Sequence, residues 1–450
     1  MFKKILVADR GEIALRVVRA CKEMGIETVA IHSQADSRSL HVLCADEDVC
    51  IGPPPGEKSY RNFTNIISAA VLTNADAIHP GYGPLAENAD FAELCASHGI
   101  TFIGPPVEAI RKMGDKAVAR NTMKDAGVPV IPGSEGELGT VEETREWAAK
   151  VGYPLRLKAA AGGGGRGMRV VREESELEEA WQMARLEARN AFTSDAVYME
   201  RSVENARHIE IQVLGDTHGN VIHLGERECS IQRRHQKLLE ESPSPVVDEA
   251  FRRRLGEAAV AGARSVGYYS TGTMEFLVDA EQNFYFLEMN TRIQVEHPVT
   301  ETVTGVDLVR HQIRVAAGEE LGLGQEDVRL SGHAIECRIN AEDPSRNFMP
   351  SAGTVTALHQ PGGLGVRVDS HLYQGYDMPP YYDSLLSKLI AYGADRTECM
   401  ARMRRLLDEY TIEGVKTTLP FHRALLRNED FVAGRFDTDF VARTPLELED

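Results

Sequence analysis

The densest run of reactive side chains lies between Phe284 and Glu296, reading Phe-Tyr-Phe-Leu-Glu-Met-Asn-Thr-Arg-Ile-Gln-Val-Glu. At the period of two that a strand imposes, Glu288, Asn290, Arg292, Gln294 and Glu296 share one side. Met289, Thr291, Ile293 and Val295 share the other. In a fully extended chain Glu288 and Glu296 would stand roughly 26 Å apart, at about 3.3 Å per residue. No small ligand spans that distance, so a bend is expected, with the first half serving one ligand and the second half another. Glu288 and Asn290 are hard oxygen donors suited to Mg²⁺ or Mn²⁺. Arg292 offers a planar fork to a small oxyanion, and Glu296 offers a base. The same pattern also fits an edge strand with a charged outer face, and this stretch alone leaves both readings open.

Other segments supply partners for these groups. Thr273–Leu277 reads as a strand with one carboxylate, Glu275, and a short turn at Asp279–Asn283 would pair it with Phe284–Glu288. That hairpin would bring Glu275 and Glu288 together as a cradle for divalent cations carrying nucleotide phosphates. Upstream, a strand ending near Lys158 runs into four consecutive glycines, Arg166 and Gly167. Glycines let backbone N–H groups approach phosphate oxygens, and Lys158 adds a point charge. No Gly-Lys-Ser/Thr follows, so this is not a Walker loop; a flexible linker is the plainer alternative. Gln232-Arg-Arg-His-Gln-Lys237 is the densest basic run, either a solvated loop or a segment facing inward.

These groups need a scaffold. In the first hundred residues, Lys4–Ala8, Thr28–Ile31, Ala75–Ile78 and Ile100–Ile103 read as strands. Helical periodicity lies between them at Ile13–Met24, Phe63–Leu72 and Phe91–Cys95. Such alternation implies a parallel sheet covered by helices, with ligands beyond the carboxyl ends of strands. Asp9–Glu12 and His79–Gly83 lie at such ends. There is no Gly-x-Gly-x-x-Gly, which disfavours a standard dinucleotide site, and Tyr82 on its own reads as a turn residue packed on the sheet. The spacing then predicts one helix over Glu108–Ala126 carrying Lys116, a linker over Val128–Gly136, a helix over Glu174–Asn190 and strands at Val197–Arg201 and His208–Leu214. Ser331–Asn340 reads as a strand with Glu336, Arg338 and Asn340 on one face, where a surface Glu336–Arg338 ion pair is the simplest outcome. Met400, Met403, Leu407 and Tyr410 outline a late helix.

Bulk properties exclude several classes. The chain has 450 residues, enough for two to four packed units, and a net charge of −18. Nucleic acid and anionic membranes are poor partners for so acidic a protein. No apolar run is long enough to span a bilayer, and the N-terminal run is too short for a signal peptide. Seven scattered cysteines with no Cys-x-x-Cys indicate neither a zinc site nor a disulfide framework, consistent with a reduced, cytoplasmic protein.

Taken together, Lys116, Lys158 with its glycine loop, Glu200, the Gln232–Lys237 run, Glu275 and Glu288-x-Asn290 resemble an ATP-grasp ligase. Glu288-Met-Asn-Thr-Arg-Ile-Gln-Val-Glu-His297, His79-Pro-Gly-Tyr-Gly83 and Glu336-Cys-Arg-Ile-Asn-Ala-Glu342 resemble, more specifically, biotin carboxylase, over essentially the whole chain. The resemblance implies an α/β and α+β architecture. Its parts would be an N-terminal parallel α/β domain at 1–114, an ATP-grasp domain at 115–330 with a mobile glycine-rich lid at about 131–203, and a C-terminal mixed α+β domain at 331–450. It implies a ligase that uses ATP to activate bicarbonate as carboxyphosphate and then carboxylates biotin. ATP would be held by Lys116, Lys158, Gly164, Gly165, Glu200, Arg201, Val203, His208, Gln232 and His235, with Glu275 and Glu288 also on the nucleotide side. Glu275, Glu288 and Asn290 would take two Mg²⁺ or Mn²⁺ ions. Lys237, Arg292, Gln294 and Val295 would hold bicarbonate, Glu296 would be its base, and Tyr82 and Arg338 would sit at biotin.

Implied partners are a biotin carboxyl carrier protein, carboxyltransferase subunits and a second copy of the chain. No Met-Lys-Met occurs, and the one Met-Lys, Met123-Lys124, is followed by Asp125, so the biotin is expected on another chain. Acetyl-CoA, propionyl-CoA and pyruvate carboxylases all remain open as the parent complex, the first implying fatty acid biosynthesis. Several residues depart from the family pattern: Arg156 where an apolar residue is usual, Asp9 for Asn, Pro84 for Phe and Arg201 for Lys. Arg156 is expected either to add a phosphate contact or to swing out and loosen the lid. The departures keep open a catalytically impaired ATP-binding regulatory subunit, and the shared lysines and glutamates keep open another ATP-grasp carboxylate ligase.

Overall fold

Short strands, two to seven residues long, build the first sheet. Lys4–Val7 pairs in parallel with Glu27–Ser33 on one side and Ala77–His79 on the other. Glu47–Gly52 and Thr101–Phe102 complete it in parallel at the two edges. Glu47–Gly52 was not anticipated, because its acidic start and exposed alternate residues carry little apolar signal. The order of connection reverses on either side of Lys4–Val7, which makes the gap between it and Ala77–His79 the switch point where such sheets bind ligands. Asp9, Glu12 and Tyr82 all lie there. In this computed structural model the described residues are 1–134, 136–159, 168–192 and 196–448. The glycine loop, including Gly164 and Gly165, lies outside them.

The described chain divides into two compact units: 1–128 with 207–276 and 288–450, and 129–206 with 277–287. In the second unit, Leu155–Ala159 pairs antiparallel with Met168–Val171 and Val197–Arg201. One face of this small sheet buries Leu155, Leu157, Val171, Val197 and Met199 with Leu177, Trp181 and Ala184 of the helix Leu177–Phe192. The predicted linker is pinned rather than free: Val130 bridges to Phe286 and Gly133 to Glu200.

In the first unit the strands Arg207–Gly215, Val221–Arg233 and Gln236–Ser242 run antiparallel. Gln236–Ser242 then pairs with His333–Asn340, which pairs with Leu385–Gly393, and that with Val366–Ser370. Strands of the expected C-terminal domain thus continue the sheet that carries the central polar strands. Behind it, Ile335, Cys337, Ile339 and Leu389 pack on Met403, Leu406 and Leu407 of the helix Arg396–Glu409.

Two elements depart from expectation near the polar residues. The helix expected over Glu108–Ala126 is two helices, Val107–Gly114 and Lys116–Asp125, because Asp115 turns extended and its carboxylate caps the N–H groups of Ala117 and Val118. The strand expected through Glu296 ends at Asn290: Ser270–Val278 and Phe284–Asn290 form the predicted hairpin, and the helix His297–Thr304 begins immediately after Glu296.

Candidate active site

The bend between Asn290 and His297 is what gathers the polar groups. Ile293, fully buried, anchors it in the apolar core. The Arg292 guanidinium folds back over the turn, donating to the Asn290 carboxamide oxygen at 3.2 Å and to the Ile293 carbonyl and Gln294 Oε1 at 3.3 Å. Its Nε donates to Glu87 at 2.8 Å, and Glu87 also accepts from the Thr291 N–H at 3.0 Å. The Val295 carbonyl accepts from Lys388 at 2.9 Å. Glu296, fully buried, ends the bend, with its carboxylate turned away from capping the following helix.

Lys237 is the hub. Its ammonium donates to Glu210 at 2.5 Å, Glu275 at 2.9 Å and Glu296 at 2.7 Å. Burial alone would favour neutral lysine; the three carboxylates outweigh it and hold the ammonium protonated well above the ordinary range. Burial likewise opposes charge on Glu296, and Lys237, Arg338 and Arg227 overcome it to keep that carboxyl well below its usual range. The second oxygen of Glu296 accepts from Arg338 at 2.9 Å. Arg338 also donates to Glu240 through Nε at 2.6 Å. The expected surface pair with Glu336 does not form: Arg338 reaches across to the neighbouring strand and to Glu296. Arg227, fully buried, pairs with Glu210 and bonds Gln212 at 2.6 Å, fixing the acid that steadies Lys237.

Glu275 accepts from Asn290 at 2.9 Å and from Gln294 at 3.3 Å, and its other oxygen lies 2.9 Å from His208 Nε2. Burial opposes its ionisation; Lys237 and His208 override it and hold the carboxyl low. Glu288 is the counterpart. Burial and then the Glu275 charge push its carboxyl up, and Lys116 is the first cation that offsets them. Two carboxylates, one raised by the charge of the other, with a carboxamide beside them, form an oxygen-rich donor set whose repulsion a divalent cation relieves. The residues fit such an ion.

The remaining expected positions fall in three places. Gln232 and Lys237 face inward, whereas Arg234 and His235 form the exposed hairpin turn between them, both with positive φ. Tyr82 donates its hydroxyl to Glu12 at 2.5 Å, and Glu12 in turn lies 3.1 Å from Lys388, so Tyr82 is tied through two side chains to the Val295 carbonyl. In the second unit, Lys158 pairs with Glu200, the Arg201 N–H donates to the Pro132 carbonyl, and Val203 is buried. Arg156 does share a face with Lys158, but its Nε donates to Ser202 at 3.1 Å. Sequence reasoning missed Glu87, Glu210, Arg227, Glu240 and Lys388. Glu210 carried a signal, since His208, Glu210 and Gln212 alternate with apolar residues in one strand.

Three family profiles cover this chain: "Biotin carboxylase, N-terminal domain" over 1–110, "Carbamoyl-phosphate synthase L chain, ATP binding domain" over 115–323, and "Biotin carboxylase C-terminal domain" over 336–443. Biotin carboxylase 1 of Bacillus subtilis is 60% identical over 442 residues, 98% of each chain. The chain belongs to the biotin carboxylase family. It has the three-part fold of that family and is a ligase with biotin carboxylase activity, the first half-reaction of a biotin-dependent carboxylase. The biotin carboxylase domain of a thermophilic 2-oxoglutarate carboxylase bound to bicarbonate superposes with a TM-score of 0.95 at 51% identity, covering 98% of both chains. The corresponding domain from Hydrogenobacter thermophilus, solved as a dimer with MgADP, ADP and bicarbonate, gives a TM-score of 0.89 at 53% identity, covering 98% of this chain and 97% of the other. Among the described residues no helix is long and apolar enough to cross a membrane.

Proposed function

We propose that the bend from Asn290 to Glu296 is where bicarbonate is activated and that Arg338 serves biotin beside it. The observation that carries this reading is the position of Glu296, whose one oxygen rests on Lys237 and whose other rests on Arg338. A single base thus stands between two cations with different tasks.

Lys237, Arg292, Gln294 and Val295 take bicarbonate. Arg292 is pre-aimed by Glu87, so little freedom is lost on binding. Glu296, kept anionic by Lys237 and Arg338, withdraws the bicarbonate proton, and the oxygen so freed attacks the terminal phosphorus of ATP, whose bond to the bridging oxygen breaks to release ADP and leave carboxyphosphate. Lys116, Lys158, Gly164, Gly165, Glu200, Arg201, Val203, His208, Gln232, His235, Glu275 and Glu288 serve the nucleotide. Glu275, Glu288 and Asn290 would hold Mg²⁺ or Mn²⁺, which when bound screens the charge that spreads over the transferring phosphoryl group.

Carboxyphosphate then breaks its bond between carbon and the bridging oxygen to give CO₂ and phosphate; the phosphate takes the proton of the weakly acidic ureido nitrogen of biotin, and that nitrogen attacks CO₂ to give carboxybiotin. Arg338 stabilises the developing charge on the ureido oxygen, and Tyr82 borders biotin. The biotin arrives on a carrier protein, and the protein works as a homodimer alongside carboxyltransferase subunits.

ADP release by the purified protein with Mg²⁺, measured with bicarbonate and free biotin added separately and together, tests this. Release that requires bicarbonate, rises with biotin and loses only the biotin response in Arg338→Ala is the expected result. Release indifferent to both would overturn it.

A further inference from the structure

Glu336 is fully buried, and neither of its carboxyl oxygens has a hydrogen-bond partner among the described residues. It stands directly opposite Glu240 in the antiparallel pairing of His333–Asn340 with Gln236–Ser242. Side chains so placed have Cβ atoms about 5 Å apart. Glu240 is also fully buried; its Oε1 takes the Nε of Arg338 at 2.6 Å and Nη2 at 2.5 Å, while its Oε2 is unpartnered.

We propose that Glu240 and Glu336 form a cross-strand carboxyl pair holding one proton, with Glu336 the neutral member, and that the pair positions Arg338. The proposal rests on the assignment of Arg338 to biotin given above.

The charges around the pair support the assignment. On the neighbouring strand Leu385–Gly393, Lys388 is the cation that most favours charge on Glu336, but its ammonium is already taken by the Val295 carbonyl at 2.9 Å and Glu12 at 3.1 Å, with Asp369 at 3.9 Å. On its own strand, Arg338 is shared between Glu240 and Glu296. On the helix packed against this face, His297 bonds the Gln294 carbonyl through Nδ1, and Glu301 is occupied by Arg16 and Arg367. Among the described residues no cation bonds Glu336. Two facing carboxylates in a low-dielectric interior with one shared cation cannot both ionise. The proton belongs on Glu336, because Glu240 accepts the bonds from Arg338 and gains most from being charged.

Burial opposes charge on both carboxyls; the Arg338 guanidinium draws Glu240 back toward ionisation, whereas Glu336 is driven well above the ordinary carboxyl range. With Glu336 neutral, Arg338 is held by Glu240 through Nε and Nη2 and by Glu296 through Nη2, and Nη1 has no partner among the described residues. That leaves Nη1 to serve the ureido oxygen. A second negative charge beside Glu240 would bind Arg338 more tightly and blunt its action on biotin. Glu240 and Glu336 are therefore positioning residues that act through Arg338.

The test is infrared difference spectroscopy of the intact protein in H₂O and D₂O at neutral pH, alongside biotin-stimulated ADP release, for the wild type, Glu336→Gln and Glu240→Gln. A protonated-carboxyl carbonyl band absent from Glu336→Gln is expected. Glu336→Gln, which copies the neutral acid, should keep biotin-stimulated release within about threefold, whereas Glu240→Gln should lower it about tenfold or more by removing the charged acceptor of Arg338. A band that persists in Glu336→Gln, its absence from the wild type, or loss of the biotin response in a folded Glu336→Gln would overturn the proposal. The infrared result does not depend on the function of Arg338, and the response of the wild type to biotin checks that function separately.

Discussion

Lys237 and Arg338 meet the two oxygens of one carboxylate: Lys237 Nζ donates to Glu296 Oε1 at 2.7 Å and Arg338 Nη2 to Oε2 at 2.9 Å. The first cation is shared with Glu210 and Glu275, the second with Glu240. Glu296 is thereby held ionised without being free to move.

Removing the hub shows what it carries. Lys237→Gln leaves three buried carboxylates without their common cation, a change that costs about 3–5 kcal/mol when one partner of a buried pair is lost. Denaturant midpoints should fall accordingly. Because Lys237 is the first of the cations holding the Glu296 carboxyl low, its loss should also move the acid limb of the bicarbonate-dependent rate to higher pH. An unmoved limb would mean that Glu296 is not the base.

Glu87 fixes Arg292 through one bond at 2.8 Å and holds the adjacent Thr291 N–H at 3.0 Å. Its side chain is 39% exposed, so solvent weakens the pair. Glu87→Ala should raise KM for bicarbonate roughly threefold to tenfold, with kcat changed less, as expected for a lost charge-assisted bond of about 1 kcal/mol. Equal KM values in both proteins would show that Arg292 needs no such brace.

How legible these residues were in the sequence depended on the range of the interaction. The parallel sheet and the Glu275–Glu288 hairpin followed from local period and turn chemistry, which act within a few residues. The bend at Asn290 was implied by distance alone. Glu240 was invisible: it meets Arg338 only because two strands far apart in the chain pair in one register, and no local pattern encodes a register between distant strands. The split of the helix at Asp115 was legible in principle, since an Asp followed by helix formers is a capping signal. The continuous apolar periodicity across it masked the break. Lys388 sits in a strand between Ser387 and Leu389, where a single lysine reads as an edge residue rather than as a buried counter-ion to Glu12.

Arg156 tests whether a departure from the family pattern matters. Its Nε is committed to Ser202, and it sits opposite Glu200 in the strand pairing. Arg156→Met removes one half-buried bond worth about 1 kcal/mol. KM for ATP should change less than about threefold, while Lys158→Met, which strips Glu200 of its partner, should raise it far more. A large effect of Arg156→Met would mean that its guanidinium leaves Ser202 for the nucleotide.

Asp9 makes a prediction about stability that is independent of catalysis. Its carboxylate accepts from the N–H groups of Arg10 at 2.7 Å, Tyr82 at 3.1 Å and Gly83 at 2.9 Å, closing the turn in front of the first sheet. Gly81 has φ 61°, and a Cβ there would lie 2.1 Å from Asp9, so the turn admits only glycine at that place. Burial raises the carboxyl to about 6, and the backbone bonds only partly offset it. Its reference value is 3.8. Between those values the folded state holds a proton that the unfolded chain has released, so stability falls as pH rises through the window and is constant above it. At 1.36 kcal/mol per unit the loss reaches about 3 kcal/mol. Asp9→Asn cannot titrate and escapes it. Its unfolding free energy relative to the wild type should therefore improve by up to about 3 kcal/mol between pH 4 and pH 7, whatever the offset at pH 4. A difference that stays flat across that range would mean that the backbone donors, rather than burial, set the charge of Asp9.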